Sequence, residues 1–473
     1  MDKKKNSGIK KVTSICLLFL LFFNNILAQN DEKHELSDIK DLKEQFYLAS
    51  TDSTRARIAT EISTAYRLII EIDSCKKYAS LANQFLEKID GEDEYFTPAY
   101  KKIRAKAIEN YGTVLAYQNA KKAVDTLQYS LKLWQDTGNE EGIANAYFSL
   151  GRAYSFSSNQ IEAITYFDKG LSLYKELENE AKQAEVLYEI SLEKRYLGKY
   201  GDALEFSLKS LKVAEKIKDT ILVTNALLGN SFNYLLAKNY SEALQEQEKA
   251  LHLYRLSKDS VGIARTYNDM GVTYLFADNL EEALKYHKIA LDLRKKVNKS
   301  SINISYNYIA GIYRDLGELD ETLKTIKEGL SYSLKLADNR FILNSYEEAG
   351  NIYVELKDYD QAIINYNLGL EVAKKNNNNG YQALLLARIG QAQKEAGNLK
   401  KALISLKQAE ESIPQNDYNI RKFIYKTMTK TYEEDNDFRN AFKYQAKFHQ
   451  VSDSLDAIKK DEKITTLTQE LIY

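Results

Sequence analysis

Small residues return along the chain with a period of forty. One per period gives Ala123, Ala163, Ala203, Ala243, Ala283, Thr322, Ala362, Ala402 and Ala441, with every step 39 or 40 residues. Twelve residues before most of them stands a second small residue: Gly151, Ser191, Ser231, Gly271, Ala310, Gly350, Gly390 and Thr429. Three residues after that comes a tyrosine in six of the eight, Tyr154, Tyr234, Tyr274, Tyr313, Tyr353 and Tyr432, with Lys194 and Gln393 as the exceptions. Between the two small residues lies a polar turn with one apolar plug, as in Lys199-Tyr200-Gly201-Asp202 and Asn239-Tyr240-Ser241-Glu242. The pattern predicts helix, turn, helix, turn in every period.

Two antiparallel helices approach closely only where Gly or Ala replaces bulk, and a neighbouring aromatic fills the wedge left open. A single hairpin cannot bury its own apolar face, whereas stacking buries it against the next one. The expectation is an all-α, right-handed superhelical solenoid of antiparallel helix hairpins with a long concave surface.

Tyr147-Phe148-Ser149-Leu150-Gly151 with Tyr154, Ala163 and Phe167, and Tyr346 with Gly350, Tyr353, Ala362 and Tyr366, carry a family resemblance. The chain resembles a tetratricopeptide-repeat protein, in a long-helix variety whose period is near forty instead of thirty-four. The resemblance covers residues 56–448 and rests on nine registers agreeing. It departs from the family in lacking the proline that often closes a repeat, which leaves the turn geometry open. Asp73-Ser74-Cys75 followed by Tyr78-Ala79 resembles the second helix of a tenth, degenerate unit, and Glu92, Asp93 and Glu94 read as a solvated turn.

Within residues 29–55, Leu36, Ile39, Leu42 and Phe46 recur at helical spacing and predict a helix that caps the first unit. Over residues 449–473 a stripe of Val451, Leu455, Ile458, Ile464, Leu467 and Leu471 continues from the last unit. It has two readings, a capping helix folded on the last repeat or a short coiled coil joining two copies.

Two prolines and 20 glycines in 473 residues, with 28% charged residues, argue against a turn-rich β fold. Lys+Arg at 66 against Asp+Glu at 67 leaves no basic field and excludes nucleic acid as the main partner. The N-terminus is different in character. Lys3, Lys4, Lys5, Lys10 and Lys11 precede an apolar run from Ile15 to Phe23, and Ala28 offers a cleavage point, so residues 1–28 read as a secretory signal peptide. An uncleaved anchor is the alternative. Cys16 lies inside the run, not after it, which argues against lipidation. Cleavage would export the chain to the periplasm or beyond, leave no membrane span, and move the net charge from −1 to −5. Only Cys75 would remain, at a register position expected to be small and buried.

The four histidines, His34, His252, His287 and His449, form no pair at metal-ligand spacing. His287 takes the slot that Phe167 and Tyr366 fill in other units, and Trp134 and many of the 35 tyrosines likewise fall on packing slots. Pairs such as Glu281-Glu282 sit at helix starts, where the helix dipole favours them. There is no glycine-rich phosphate loop and no serine elbow, so neither catalysis nor a cofactor is expected.

The family resemblance implies that the groove is lined by the inner face of the first helices. Its positions read Asn145, Phe148, Arg152; Glu185, Tyr188, Arg195; Asn225, Leu228, Phe232; Arg265, Asn268, Leu275; Ile304, Asn307, Arg314; Asn344, Glu347, Asn351. An asparagine amide donates and accepts at once, so such a ladder can pair with an extended peptide backbone without reading its side chains. The arginines would draw acidic residues or a terminal carboxylate. The bland alternative is a solvated polar groove. The lysine-and-asparagine clamp of chaperone-tail binders in this family is not matched as a set.

The expected function is an exported, non-catalytic module binding a protein or peptide. Its layout resembles the extracytoplasmic sensor portion of bacterial signalling proteins, with output expected in a separate protein or lost, because no membrane helix, kinase or DNA-binding domain follows the repeats in this sequence. The alternative is an assembly scaffold that uses the convex face and the C-terminal helix.

Overall fold

The computed structural model describes residues 32–68, 71–90, 98–297, 302–414 and 417–472. The expected signal peptide and the acidic cluster at residues 92–94 lie outside them. Among the described residues there are 21 helices and no strand. A helix α1 (Glu32–Leu48) precedes ten hairpins. The first five are α2 (Asp52–Leu68) with α3 (Ile72–Asp90), α4 (Pro98–Leu115) with α5 (Ala120–Asp136), α6 (Glu140–Phe156) with α7 (Gln160–Glu176), α8 (Glu180–Tyr196) with α9 (Tyr200–Ile217), and α10 (Thr220–Leu236) with α11 (Tyr240–Leu256). The other five are α12 (Ser260–Phe276) with α13 (Leu280–Val297), α14 (Ile302–Leu316) with α15 (Leu319–Leu336), α16 (Asn339–Glu355) with α17 (Tyr359–Lys375), α18 (Asn379–Glu395) with α19 (Leu399–Ser412), and α20 (Tyr418–Glu434) with α21 (Phe438–Ile472). The chain divides into two compact units, Met1–Leu253 and Tyr254–Tyr473.

The turns manage without proline. After α6, Ser158 is left-handed at φ 58°, its N–H donates to the Ser155 carbonyl at 2.9 Å, and the Asn159 N–H donates to the Tyr154 carbonyl at 3.0 Å. These two bonds satisfy carbonyls that a helix end leaves open. Asn159 then caps α7 by accepting from the Glu162 N–H, so one residue closes a helix and opens the next. Asn139, Asn179, Asp219, Asp259, Asp338, Asp358, Asn378 and Asp417 cap their helices in the same way. Gly138, Gly198, Gly317 and Gly397 take the left-handed position freely, whereas Lys218, Lys238 or Lys357 there carries a cost of about 1–2 kcal/mol.

All nine small residues of the forty-residue register are buried. Their partners interlock, since a Cβ added to Gly151 would stand 2.5 Å from the Phe167 ring, and Gly350 and Gly390 lie likewise beneath Tyr366 and Leu406. Where α8 and α9 meet, Ser191 and Ser207 leave bulk missing, and Asn233 of α10 replaces it. Its Nδ2 donates to Ser191 Oγ at 3.2 Å and Ser207 Oγ at 3.0 Å.

In the first unit α1 covers the first hairpin as expected, with Ile39 and Phe46 buried against Ile58, Ile62, Tyr66 and Tyr78 and Leu42 partly buried beside them. The side chain of Leu36 lies outside the described residues. Cys75 is buried in the same core, its thiol donates to the Ser63 carbonyl at 3.3 Å, and burial pushes its pKa up to about 12. Trp134 is buried too, covering Gly142 and donating to Glu109 Oε2 at 3.2 Å.

In the second unit α21 runs without a break to Ile472, so the segment after residue 448 continues the last helix and is not a separate one folded back. Val451 is buried and Leu455 partly buried against Ile424, Tyr425, Met428 and Tyr444. The side chains of Ile458, Ile464, Leu467 and Leu471 lie outside the described residues. Among those residues no helix is long and apolar enough to cross a membrane.

Candidate ligand-binding face of the first helices

In the first unit the expected positions fall on α6, α8 and α10. Asn145 is half-buried and its Oδ1 accepts from the Tyr174 hydroxyl at 2.7 Å. Arg152 Nε lies 3.7 Å from Glu189 Oε1. Lys182 sits between Glu185, at 2.7 Å, and the Phe148 ring. Asn225 is half-buried and its side chain makes no hydrogen bond to another described residue. Arg195 departs from expectation because it is only 7% exposed. Its Nε donates to Asn233 Oδ1 at 2.9 Å and its guanidinium lies over the Phe232 ring. Next to it Glu193 is buried, accepts from the Ser155 hydroxyl at 2.6 Å, and is pushed by burial up to about 8.

In the second unit the positions fall on α12, α14 and α16. Asn268 is buried, with Oδ1 3.3 Å from His287 Nδ1 and 3.4 Å from Arg294 Nη1. Arg294 also donates to Ser305 Oγ at 2.7 Å. Arg265 Nε lies 3.9 Å from Asp269, whose carboxyl burial raises to about 6. Arg314 lies 2.9 Å from Glu348 and 3.7 Å from Glu355. Asn351 accepts from the Tyr366 hydroxyl at 2.8 Å, and Asn344 accepts from the Tyr381 hydroxyl. Asn307 is exposed and bonds to no other described residue.

Two corrections follow. Arg195 and Asn268 are tied into the packing between helices and do not present themselves to a ligand, because Phe232 and Asn233 close over the first and His287 and Arg294 over the second. The other arginines are not free cations either, since Arg152, Arg265 and Arg314 each face a carboxylate. What each unit offers on its first helices is a set of oriented amides. In Asn145, Asn344 and Asn351 a tyrosine hydroxyl holds the oxygen, which leaves Nδ2 available as a donor.

Glu189, Glu193, Asn233, Glu348 and Arg388 belong to this face and its support, and the sequence reading passed over them. Glu347 pairs with Arg388 at 3.2 Å, and Arg388 lies over Phe423. The pairs Arg152–Glu189, Arg314–Glu348 and Glu347–Arg388 each span about one repeat, so opposite charges one period apart were the available signal.

Sequence profiles of the tetratricopeptide repeat match residues 144–177, 222–296 and 343–376, which take in the hairpins where Phe167, His287 and Tyr366 cover Gly151, Gly271 and Gly350. These stretches are tetratricopeptide repeats. No curated relative matches it in sequence. Among solved structures this protein is similar to the apo form of RapI, with a TM-score of 0.50 at 14% identity over 76% of this chain and 97% of that one. It is also similar to a signal-transduction ATPase with numerous domains from Pyrococcus horikoshii that carries a tetratricopeptide repeat sensor. There the TM-score is 0.50 at 14% identity, over 89% of this chain and 67% of that one. At such identities the likeness is one of fold.

Proposed function

We propose that this protein is an exported, non-catalytic binding module that holds an extended protein or peptide segment against its first helices and serves as the sensing part of a signalling system. The observation that carries the reading is the set of amides whose oxygens are pinned by tyrosine hydroxyls, at Asn145, Asn344 and Asn351. A donor held in place before the ligand arrives loses little entropy on binding, and main-chain carbonyls are the acceptors an extended peptide always presents. Asn225 and Asn307 add amides with both functions unspent. The sensing role is supported by the P. horikoshii sensor of like fold, and export by the lysine-rich and apolar N-terminus. With the groove arginines engaged by carboxylates or Asn233, the reading no longer needs an acidic ligand.

The test is capture from envelope extract by immobilised residues 29–473, beside a variant with Asn145, Asn225, Asn307 and Asn344 all changed to alanine and matched for helical content. Loss of a partner from the variant supports the reading, and equal capture removes it. Export is checked by sequencing the N-terminus of the mature protein, expected at Gln29.

A second reading, an assembly scaffold, is favoured by exposed apolar residues on second helices of the second unit: Ile364 and Leu368 on α17, Ile404 on α19, Phe438 and Phe442 on α21. Pairing of two copies through α21 belongs to it. A chain ending at Phe448 that sediments like the full chain would remove that pairing.

A further inference from the structure

Gly311 stands in the interior of α14, exposed, and a Cβ built on it would meet nothing within 4 Å. Glycine weakens an exposed helix relative to alanine, so propensity supplies no reason for it. Packing supplies none either, in contrast to Gly112, Gly151, Gly271, Gly350 and Gly390, each beneath a larger side chain. The equivalent positions one repeat earlier and later carry Val272 and Asn351, so α14 is stripped to its backbone where its neighbours carry side chains.

The same face of the helix carries Asn307 four residues before and Arg314 three residues after. Asn307 is exposed and its amide is unspent among the described residues. Arg314 is held by Glu348 and Glu355, which puts two carboxylates against one guanidinium. An open backbone, an unspent amide and a surplus of negative charge lie along one face of the helix, within about two turns of each other.

We propose that Gly311 marks the point where an extended peptide lies against α14. Its main chain crosses the glycine within reach of the Asn307 amide, and a lysine or arginine side chain is directed to Glu348 and Glu355. Any side chain at position 311 would occupy the space the ligand uses, so the helix keeps a destabilising residue for function. This rests on the peptide-binding reading above and adds to it a location and a charge preference.

The experiment selects phage-displayed random peptides on residues 29–473 and measures the enriched peptides by fluorescence polarisation. They are tested on the wild type, on Gly311→Ala, and on Gly201→Ala, a control glycine that also faces open space but lies on the second helix of its hairpin. Gly311→Ala is expected to raise the thermal midpoint while weakening binding about tenfold or more, with Gly201→Ala binding as the wild type does. The enriched peptides are expected to be rich in lysine and arginine. Binding to Gly311→Ala within about twofold of the wild type, or enrichment of acidic peptides, overturns this inference and leaves the peptide reading standing. No enrichment on the wild type overturns both.

Discussion

The ring of His287 lies across Gly271, so close that a Cβ on the glycine would stand 2.7 Å from Nε2. It is the same interlock as Phe167 over Gly151 and Tyr366 over Gly350, with an imidazole in place of a phenyl ring. Gly271→Ala must push the ring or the helix aside, and overpacking of this kind costs about 1–3 kcal/mol. Gly201→Ala meets open space and carries no such cost. Urea unfolding of the two variants checks the difference, and equal midpoints would remove the interlock as a source of stability.

His287 also confers a pH dependence. It is fully buried, stacks on Tyr308 at 4.4 Å, and lies near Arg294; burial, then the arginine charge, lowers its pKa from 6.5 to about 3. The unfolded chain takes up a proton near 6.5 and the native protein does not, so this contribution is complete above 6.5 and is lost as pH falls toward 3. His287→Phe keeps the ring and abolishes the titration. At pH 4.5 the variant should gain about 2–3 kcal/mol on the wild type relative to pH 7.5, read by urea unfolding at both values. A constant difference would mean that the imidazole titrates alike in the native and unfolded states.

Glu193 acts with the opposite sign. Burial raises its pKa from 4.5 to about 8 against the Ser155 hydrogen bond, with Glu189 raising it further and Arg195 lowering it. The native protein therefore keeps a proton that the unfolded chain releases, and the contribution is complete below 4.5 and lost as pH rises through 8. Glu193→Gln keeps an acceptor for Ser155 without the titration. Between pH 5 and 8.5 the wild type should lose thermal stability relative to this variant. Asp269, raised to about 6, has the same sign and cancels because both proteins carry it. Parallel profiles would show that Glu193 titrates as an ordinary carboxylate.

Asn233 joins two hairpins through three hydrogen bonds, one accepted from Arg195 and two donated to Ser191 and Ser207. Asn233→Leu leaves a buried guanidinium N–H without its acceptor, which costs about 1–3 kcal/mol. Changing Arg195 to Met in the same protein should recover much of the loss, so a double-mutant cycle reads the coupling directly. Additive losses would mean that the two residues are stabilised separately.

The hairpins and their register were legible in the sequence because close helix approach demands small residues at fixed intervals. Ala123 through Ala441 mark those intervals whatever else each repeat carries. The same register placed Cys75, Trp134 and His287 in the core, since burial at those positions follows from local periodicity. The turns were legible too, had the shorter period been read: Asn119, Asn139, Asn159 and Asn179 are twenty residues apart, each at a helix start.

The exposure of polar residues was decided in three dimensions. Asn307 and Asn268 occupy like positions and look alike in sequence, yet one is exposed with an unspent amide and the other is sealed by His287 and Arg294. Arg195 is hidden by Phe232 and Asn233, which come from a helix about forty residues further along the chain. Helical periodicity says which way a residue points from its own axis. What covers it depends on the size and hydrogen-bonding capacity of side chains one repeat away, which only the packing of neighbouring hairpins brings into contact.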